Sequence, residues 1–372
     1  MSVPRRIMPE HHPAWFEIDL GRFCANLAQV RKRVGQRLVC CILKANAYGH
    51  GIIPIAKAAE HSRMVDSFGV AHLSEAILLR NAGISLPILV LGAIHEDQIE
   101  DLICTQVEFT VGSLYKAKLV AEKTERLGAI CPVHVEVDTG MRRTGVRPES
   151  VFALIEFLLS KPCFSLKGVY SHFAMSETPD NETSLRQIES FIRLKEKIPL
   201  PGIIWHLANS GGIAFYPDSW LDMVRPGLLC YGLTFQGALL DLQPCMELKA
   251  NVSYFKVVEE GEGISYGHIY RTDKQTRVVT IPVGYGDGYR RDFSNRMQVL
   301  LRNKSYRIAG AVCMDQFMVD IGGDEAYVGD EAVLIGRQGD LEITLEEMAK
   351  VSGTDPREIL CHFNERIPRV YL

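Results

Sequence analysis

The feature that most constrains this chain is an alternation repeated across its first two-thirds. Eight short apolar runs occur in order, at 39–43, 68–71, 88–91, 108–111, 133–137, 166–171, 203–207 and 223–229. Between them lie segments with helical patterning, among them 22–34, 53–60, 74–81 closed by Gly83, 114–126 closed by Gly128, and 149–159 after Pro148. Continuous apolar strands suit a sheet covered on both faces. Helical segments between strands are how parallel neighbours are connected. Eight such units in succession predict a closed (β/α)8 TIM barrel. An open doubly wound sheet is the alternative the same pattern allows.

The texture changes near residue 245. From there the pattern is of strands, at 248–258, 277–283, 297–301, 307–312, 317–321 and 332–335, with turns such as Gly322-Gly323-Asp324-Glu325 between them. Two short helical pieces follow, at 344–351 and 356–363. The expectation is therefore α/β plus β. A barrel with a short N-terminal arm occupies 1–246, and a mostly β domain occupies 247–372. A chain of 372 residues has room for both.

Charge and composition exclude several classes. The net charge of −4 gives no broad footprint for nucleic acid, and Arg31-Lys32-Arg33 reads as a solvated helix face. No apolar run is long enough to span a membrane. The start of the chain, with Pro4, Pro9 and Pro13 and no apolar stretch, predicts an extended arm and not a signal peptide. A cytoplasmic protein is expected. The ten cysteines include no CxxC or CxxxC pair, so reduced and mostly buried thiols are expected. The His11-His12 pair has no partner at ligand spacing, so no metal site is expected.

In a barrel, chemistry gathers at the C-terminal ends of the strands. The polar residues here do so. Lys44 follows the first run, 138–143 the fifth, His172 the sixth, Asn209-Ser210 the seventh, and Arg225 falls within the eighth. A lysine in a desolvated mouth can act as nucleophile or base. On position alone, a surface lysine in a loop is the simpler reading of Lys44.

The string Lys44-Ala-Asn-Ala-Tyr-Gly-His-Gly51 changes that. It resembles the cofactor-lysine motif of alanine racemases. The resemblance continues through Val137-Asp-Thr-Gly-Met-Arg-Arg-Thr-Gly145, Tyr170-Ser-His-Phe-Ala174, His206-Leu-Ala-Asn-Ser210 and Met223-Val-Arg-Pro-Gly227. It extends to Ser265-Tyr-Gly267, Gly284-Tyr-Gly-Asp-Gly288, Cys313-Met-Asp-Gln316 and Arg366-Ile-Pro-Arg369. These blocks cover nearly the whole chain in the family's order.

The resemblance implies a pyridoxal 5'-phosphate-dependent isomerase that interconverts L- and D-alanine by two-base proton transfer on a cofactor aldimine, supplying D-alanine for peptidoglycan. It implies a homodimer with shared active sites, the barrel of one subunit facing the β domain of the other. Lys44 would hold the cofactor and serve the D-side proton. Tyr266 from the partner would serve the L-side proton. Cofactor contacts would come from Tyr48, His172, Asn209, Ser210, Arg225, Gly227 and Leu228. Arg225 would face the pyridine nitrogen, and a permanently charged guanidinium there keeps that nitrogen unprotonated. A tyrosine base needs help, because its ordinary pKa is near 10. His172 and Arg225 would supply it as positive neighbours. Arg143 and the backbone N–H of Met314 would take the substrate carboxylate. Tyr285 would narrow the entrance, and Glu136 and Asp315 would support the site.

Three positions depart from the family's pattern. Glu136 stands where many members carry a lysine, in some of them carbamylated, and is expected to pair with Arg143 directly or through water. Arg142 replaces a commoner small or polar residue. Glu365 stands where some members have a tyrosine that reaches the phosphate. Two other functions fit parts of the sequence. One is a broad-specificity amino-acid racemase acting on serine or lysine. The other is a non-catalytic protein of pyridoxal phosphate homeostasis, against which the second domain and Tyr266 argue. No Walker A motif or dinucleotide fingerprint is present.

Overall fold

The computed structural model describes residues 12–372, so the expected arm lies, up to residue 11, outside the described residues. The chain divides into two units. One comprises Gly21–Ala47 and Gly51–Pro244. The other comprises the described part of Met1–Leu20, Tyr48–His50 and Cys245–Leu372.

The first strand, β1 (Ala14–Ile18), belongs to the second of these units. The first unit holds eight parallel strands: β2 (Leu38–Ile42), β3 (Ser67–Val70), β4 (Ile88–Val90), β5 (Glu108–Val111), β6 (Cys131–Glu136), β7 (Phe164–Tyr170), β8 (Ile204–His206) and β9 (Met223–Val224). Their order follows the sequence from β2 to β8, and β9 pairs with β2. Backbone bonds from Asp222 N to the Trp205 carbonyl (3.0 Å) and from Arg225 N to the Ala208 carbonyl (2.8 Å) join the two ends. The sheet is closed, and each of the eight expected runs overlaps one of its strands, with β2, β3, β6 and β7 beginning one or two residues earlier than expected.

The helices of this unit form for local reasons. Val151–Ser160 buries Val151, Leu154, Ile155 and Leu158, one face of a 3.6-residue period. Each such side chain contributes about 1.5–3 kcal/mol on burial. Leu114–Leu127 starts where the Ser113 hydroxyl accepts from Lys116 N, and stops at Gly128 with φ of 61°. Ser113 thus marks a strand-to-helix turn and Gly128 a helix-to-strand turn, and in a parallel barrel these two kinds of turn fall at opposite rims.

The second unit is built on a seven-stranded sheet. In it β1 runs antiparallel to β10 (Met246–Asn251), with Phe16 opposite Leu248, and parallel to Arg369–Tyr371. A three-stranded sheet combines Tyr254–Val258, Thr276–Ile281 and Phe317–Gly322. The helix Leu345–Ser352 carries a capping box between Thr344 and Glu347.

Three expectations need correction. A single cut at 246/247 misplaces β1, because a strand whose five residues are all buried carries no sign of which partner it will meet. The expected strand 248–258 is two strands, interrupted at Val252 and Ser253. The expected strand 307–312 is displaced: the strand is Lys304–Arg307, and only the Ile308–Val319 bridge continues it. Six of the ten cysteines are buried. Among the described residues no helix is long and apolar enough to cross a membrane.

Candidate active site

Directly after β2 the chain makes a turn that its residue types do not favour. Ala45, Asn46, Ala47 and Tyr48 all have φ between 51° and 54°. Each non-glycine residue in this left-handed conformation costs about 1–2 kcal/mol. The turn is over-determined by hydrogen bonds. Glu75 Oε1 accepts from Ala45 N (2.7 Å), Asn46 Oδ1 accepts from Ile52 N (2.8 Å), and Ala47 N donates to the Leu43 carbonyl (2.8 Å). Stored backbone strain of this kind concentrates at functional sites. It begins one residue after Lys44 and ends at Tyr48, which is buried.

Arg225 lies at the end of β9 and is only 3% exposed. Its Nη1 donates to His206 Nδ1 (2.7 Å), and its Nη2 to the carbonyls of Ser171 (2.7 Å) and Leu207 (3.2 Å). Its guanidinium lies 5.1 Å from the Tyr170 ring centre. Nη2 also approaches His172 Nδ1 at 3.4 Å. Burial, followed by the charges of Arg225, Arg143 and Lys44, pushes the His172 pKa down to about 3. Four groups expected from the sequence thus share one neighbourhood. His172 is a neutral imidazole in it, which corrects the expectation of a positive neighbour; the charge belongs to Arg225. With Nδ1 facing the arginine's N–H, the His172 proton sits on Nε2.

Asn209 and Ser210 open the short helix Ser210–Phe215. Asn209 is its cap, with Oδ1 accepting from Gly212 N (3.0 Å) and from Ser176 Oγ (2.8 Å). The Ser210 hydroxyl is therefore released from capping and accepts from Gly227 N (3.0 Å) instead. That bond ties the Asn209–Ser210 turn to Gly227 and Leu228, where another helical turn begins. Gly211 is required: a Cβ there would lie 2.3 Å from the Ser176 carbonyl oxygen.

Glu136, at the end of β6, is 5% exposed. Burial raises its pKa, against the hydrogen bond from Thr144 Oγ1 (3.0 Å) and the charge of Arg143. The direct ion pair with Arg143 does not form; Thr144, the next residue, takes the carboxylate. Arg143 itself is exposed, and so is Arg142, which faces Asp138 at 3.4 Å. Glu365 is also exposed.

The remaining expected residues lie in the β unit. Tyr266 sits in a tight turn between Ser265 (φ 64°) and Gly267 (φ 71°) and is 71% exposed. With Met314 and Asp315 it lines an open hollow of about 620 Å³. Tyr285 N donates to the Cys313 carbonyl (3.0 Å), and Gly286 N to that of Met314 (2.8 Å). Arg366 Nη2 holds Asp315 Oδ1 at 2.7 Å.

The sequence reading missed the barrel's polar interior. His206 and Tyr170 lie in the family motifs without an expected role, and Glu108, Thr110 and His134 lie in the apolar runs 108–111 and 133–137. They bond across the interior, Thr110 Oγ1 to Tyr170 Oη at 2.8 Å and His134 Nδ1 to His206 Nε2 at 3.0 Å. A signal existed: polar residues recur at every second position of apolar strands, as Glu108/Thr110 and His134/Glu136.

A closed parallel barrel with a lysine, a buried arginine and a glycine-bounded helix start at one rim, followed by a β unit, defines a class of barrel enzymes with fixed cationic sites. Family models sharpen this: "Alanine racemase, N-terminal domain" matches residues 18–235, and "Alanine racemase, C-terminal domain" matches 245–371. The alanine racemase of Desulfovibrio desulfuricans is 39% identical over 97% of this chain and 98% of its own. The solved alanine racemase of Clostridium difficile 630 is similar at 37% identity and a TM-score of 0.92, covering 97% of this chain and 96% of its own. A histidine racemase of Leuconostoc mesenteroides is similar at 28% identity and a TM-score of 0.91, covering 98% of this chain and 99% of its own. The chain belongs to the alanine racemase family, whose members are enzymes that use pyridoxal phosphate.

Proposed function

We propose that this chain interconverts L- and D-alanine with pyridoxal 5'-phosphate held on Lys44. The observation that carries this reading is Arg225: a buried guanidinium whose hydrogen-bond partners among the described residues are all neutral acceptors, beside a His172 that also feels the charges of Arg143 and Lys44. When bound, the cofactor supplies a conjugated ring that accepts the electron pair left when an α-proton departs. The residues present fit it. Ser210, Gly227 and Leu228 offer a helix-start environment for a phosphate, with Asn209 as its brace and Tyr48 beside it in this reading. Arg225, a permanently charged donor, would face a ring nitrogen and would keep that nitrogen an acceptor.

The reaction needs proton transfer on two faces of one carbon. Lys44 holds or returns the proton on one face. Tyr266 of the partner subunit does so on the other. The neutral His172 supports a phenolate by donating from Nε2, and Arg225 adds the nearby positive charge. Arg143 grips the substrate carboxylate, joined by the N–H of Met314 of the partner subunit. Glu136 orients Arg143 through charge, with Thr144 holding it in place. Tyr285 limits the entrance to small side chains, and Asp315, pinned by Arg366, steadies the Met314 turn. A cytoplasmic role supplying D-alanine for peptidoglycan belongs to the same reading.

A head-to-tail homodimer is part of it too. What supports it is the exposure of Tyr266 (71%), Met314 (53%) and Tyr285 (43%) in the single chain. Mixing Lys44→Ala and Tyr266→Phe subunits tests it. Each variant alone is inactive, and random reassociation restores about a quarter of the activity, since half the dimers then carry one intact site. No recovery would mean that each chain completes its own site.

The likeness to a histidine racemase, with Glu136 and Arg142 near the carboxylate position, favours one second reading, an amino-acid racemase of another specificity. A chiral assay in heavy water with alanine, serine, lysine and histidine separates the two. D-alanine carrying deuterium at Cα supports the first reading. Exchange with another amino acid and none with alanine supports the second.

A further inference from the structure

Arg225 is one end of a hydrogen-bonded line that crosses the inside of the barrel. Nη1 donates to His206 Nδ1 (2.7 Å), His206 Nε2 meets His134 Nδ1 (3.0 Å), and His134 Nε2 meets Glu108 Oε2 (2.8 Å). His206 and His134 are 0% and 1% exposed, so water does not substitute for these bonds. Glu108, at the start of β5, is partly exposed and lines a separate open hollow of about 480 Å³ with Arg80 and Lys167. The line thus runs from the rim that holds Lys44 to the opposite, N-terminal ends of the strands.

The proton positions follow from chemistry. A guanidinium only donates, so His206 Nδ1 must accept, and a neutral His206 then carries its proton on Nε2. Burial, Arg225 and His134 all hold the His206 pKa well below its ordinary value, so the ring stays neutral. Its Nε2–H donates to His134 Nδ1, and His134 Nε2–H donates to the Glu108 carboxylate. Every donor points from the arginine toward the carboxylate. Both ends therefore impose the same tautomer on the two rings, and such lines strengthen each member.

The backbone makes room for this arrangement. A Cβ at residue 168 would lie 2.4 Å from His134 Nδ1 and 2.7 Å from Cε1, so glycine is the residue that lets the ring stand beside His206.

We propose that Glu108 and His134 are positioning residues: they fix the proton on His206 Nε2, sharpen Nδ1 as an acceptor, and so hold Arg225 in one orientation. They touch neither substrate nor cofactor and act through His206. This rests on the reading of Arg225 as the residue facing the cofactor nitrogen. The first test does not need that reading. In the ¹⁵N-imidazole NMR spectrum of the holoenzyme, His206 and His134 should both be neutral with the proton on Nε2. An Nδ1–H tautomer, or a charged ring, at either residue would overturn the proposal.

The second test compares variants by the visible absorption of the bound cofactor and by kcat against KM. Glu108→Gln keeps an acceptor oxygen and should retain the tautomers and the spectrum. Glu108→Leu and Gly168→Ala should lower kcat by roughly fivefold to tenfold, the worth of one hydrogen bond, with KM nearly unchanged and the absorption band shifted. An unshifted band in folded Glu108→Leu and Gly168→Ala, whatever their thermal stability, would make the line structural only and sink the idea. If Glu108→Leu fails to fold, Gly168→Ala and the tautomer measurement decide alone. Loss of alanine turnover in the unaltered holoenzyme would instead count against the proposed function and leave the tautomer result standing.

Discussion

The two units treat their chemical residues in opposite ways. The barrel buries most of them: Arg225, Ser210, Glu136 and His206 are all at or below 5% exposure, and Arg143 is the exposed exception. The β unit displays them: Tyr266 is 71% exposed and Met314 53%. Buried polar groups must be bonded: Arg225, Ser210 and His206 are each held by two or more neighbours and Glu136 by Thr144, so altering them costs the fold. Substituting the displayed side chains should cost the fold little. Neither pattern reflects amino-acid type, since Tyr170 and Tyr289 are as buried as Tyr266 is open.

The largest expected effect tests whether the displayed side really carries chemistry. Tyr266→Phe should lower racemisation by about 10²–10⁴, the usual worth of a positioned proton-transfer group. Its unfolding free energy from urea titration should change by less than about 0.5 kcal/mol. A midpoint shift comparable to the activity loss would break the contrast.

Arg225→Leu should do the reverse in stability. It strips donors from two buried carbonyls and one imidazole, each left unsatisfied at about 1–3 kcal/mol, so a loss of several kcal/mol is expected in chemical denaturation. If the variant is as stable as the parent, the barrel interior is looser than its bonds indicate.

The pH dependence sharpens the comparison further. His172 and His206 have folded pKa values below their ordinary value, so the unfolded chain binds their protons first as pH falls. Stability is full above about pH 6.5 and drops below it, by up to about 1.4 kcal/mol per pH unit for each imidazole. Glu136 works against this at lower pH, because its raised folded pKa lets the native state take a proton early. Urea midpoints measured from pH 7.5 to 5 should show the decline. A flat profile would mean that the two rings are not held neutral.

The smallest effect concerns the departure at Glu136. Thr144→Val removes the hydrogen bond to the Glu136 carboxylate and should raise KM for alanine by about fivefold, one hydrogen bond's worth, with kcat nearly constant. An unchanged KM would separate Glu136 from the carboxylate grip of Arg143.

Much of this was legible in the sequence because it is local. Eight apolar runs with helical patterns between them can close only a small set of sheets, and Gly128 and Ser113 mark helix ends by chemistry that needs no distant partner. Lys44, His172, Ser210 and Arg225 fall at strand ends, which a barrel places on one rim. The destination of β1 was not legible, because an all-buried strand is compatible with any sheet that has an open edge. Nor was the partner of Glu136: Arg143 and Thr144 are neighbours in sequence, and only backbone direction decides which side chain reaches the carboxylate. The left-handed turn at Ala45–Tyr48 contradicts its residues' own preferences and exists because Glu75 and Asn46 hold it.

The sequence by itself determined the periodicities, the caps and the types of residue available at the barrel rim, since these depend on neighbours within a few positions. The tertiary structure alone decided which polar atoms meet. The line from Arg225 to Glu108 joins four different strands or their ends, and its direction is set by a guanidinium that can only donate. Hydrogen-bond geometry is fixed to tenths of an ångström, whereas hydrophobic patterning specifies only a face, so the fold had to close before the proton positions were defined.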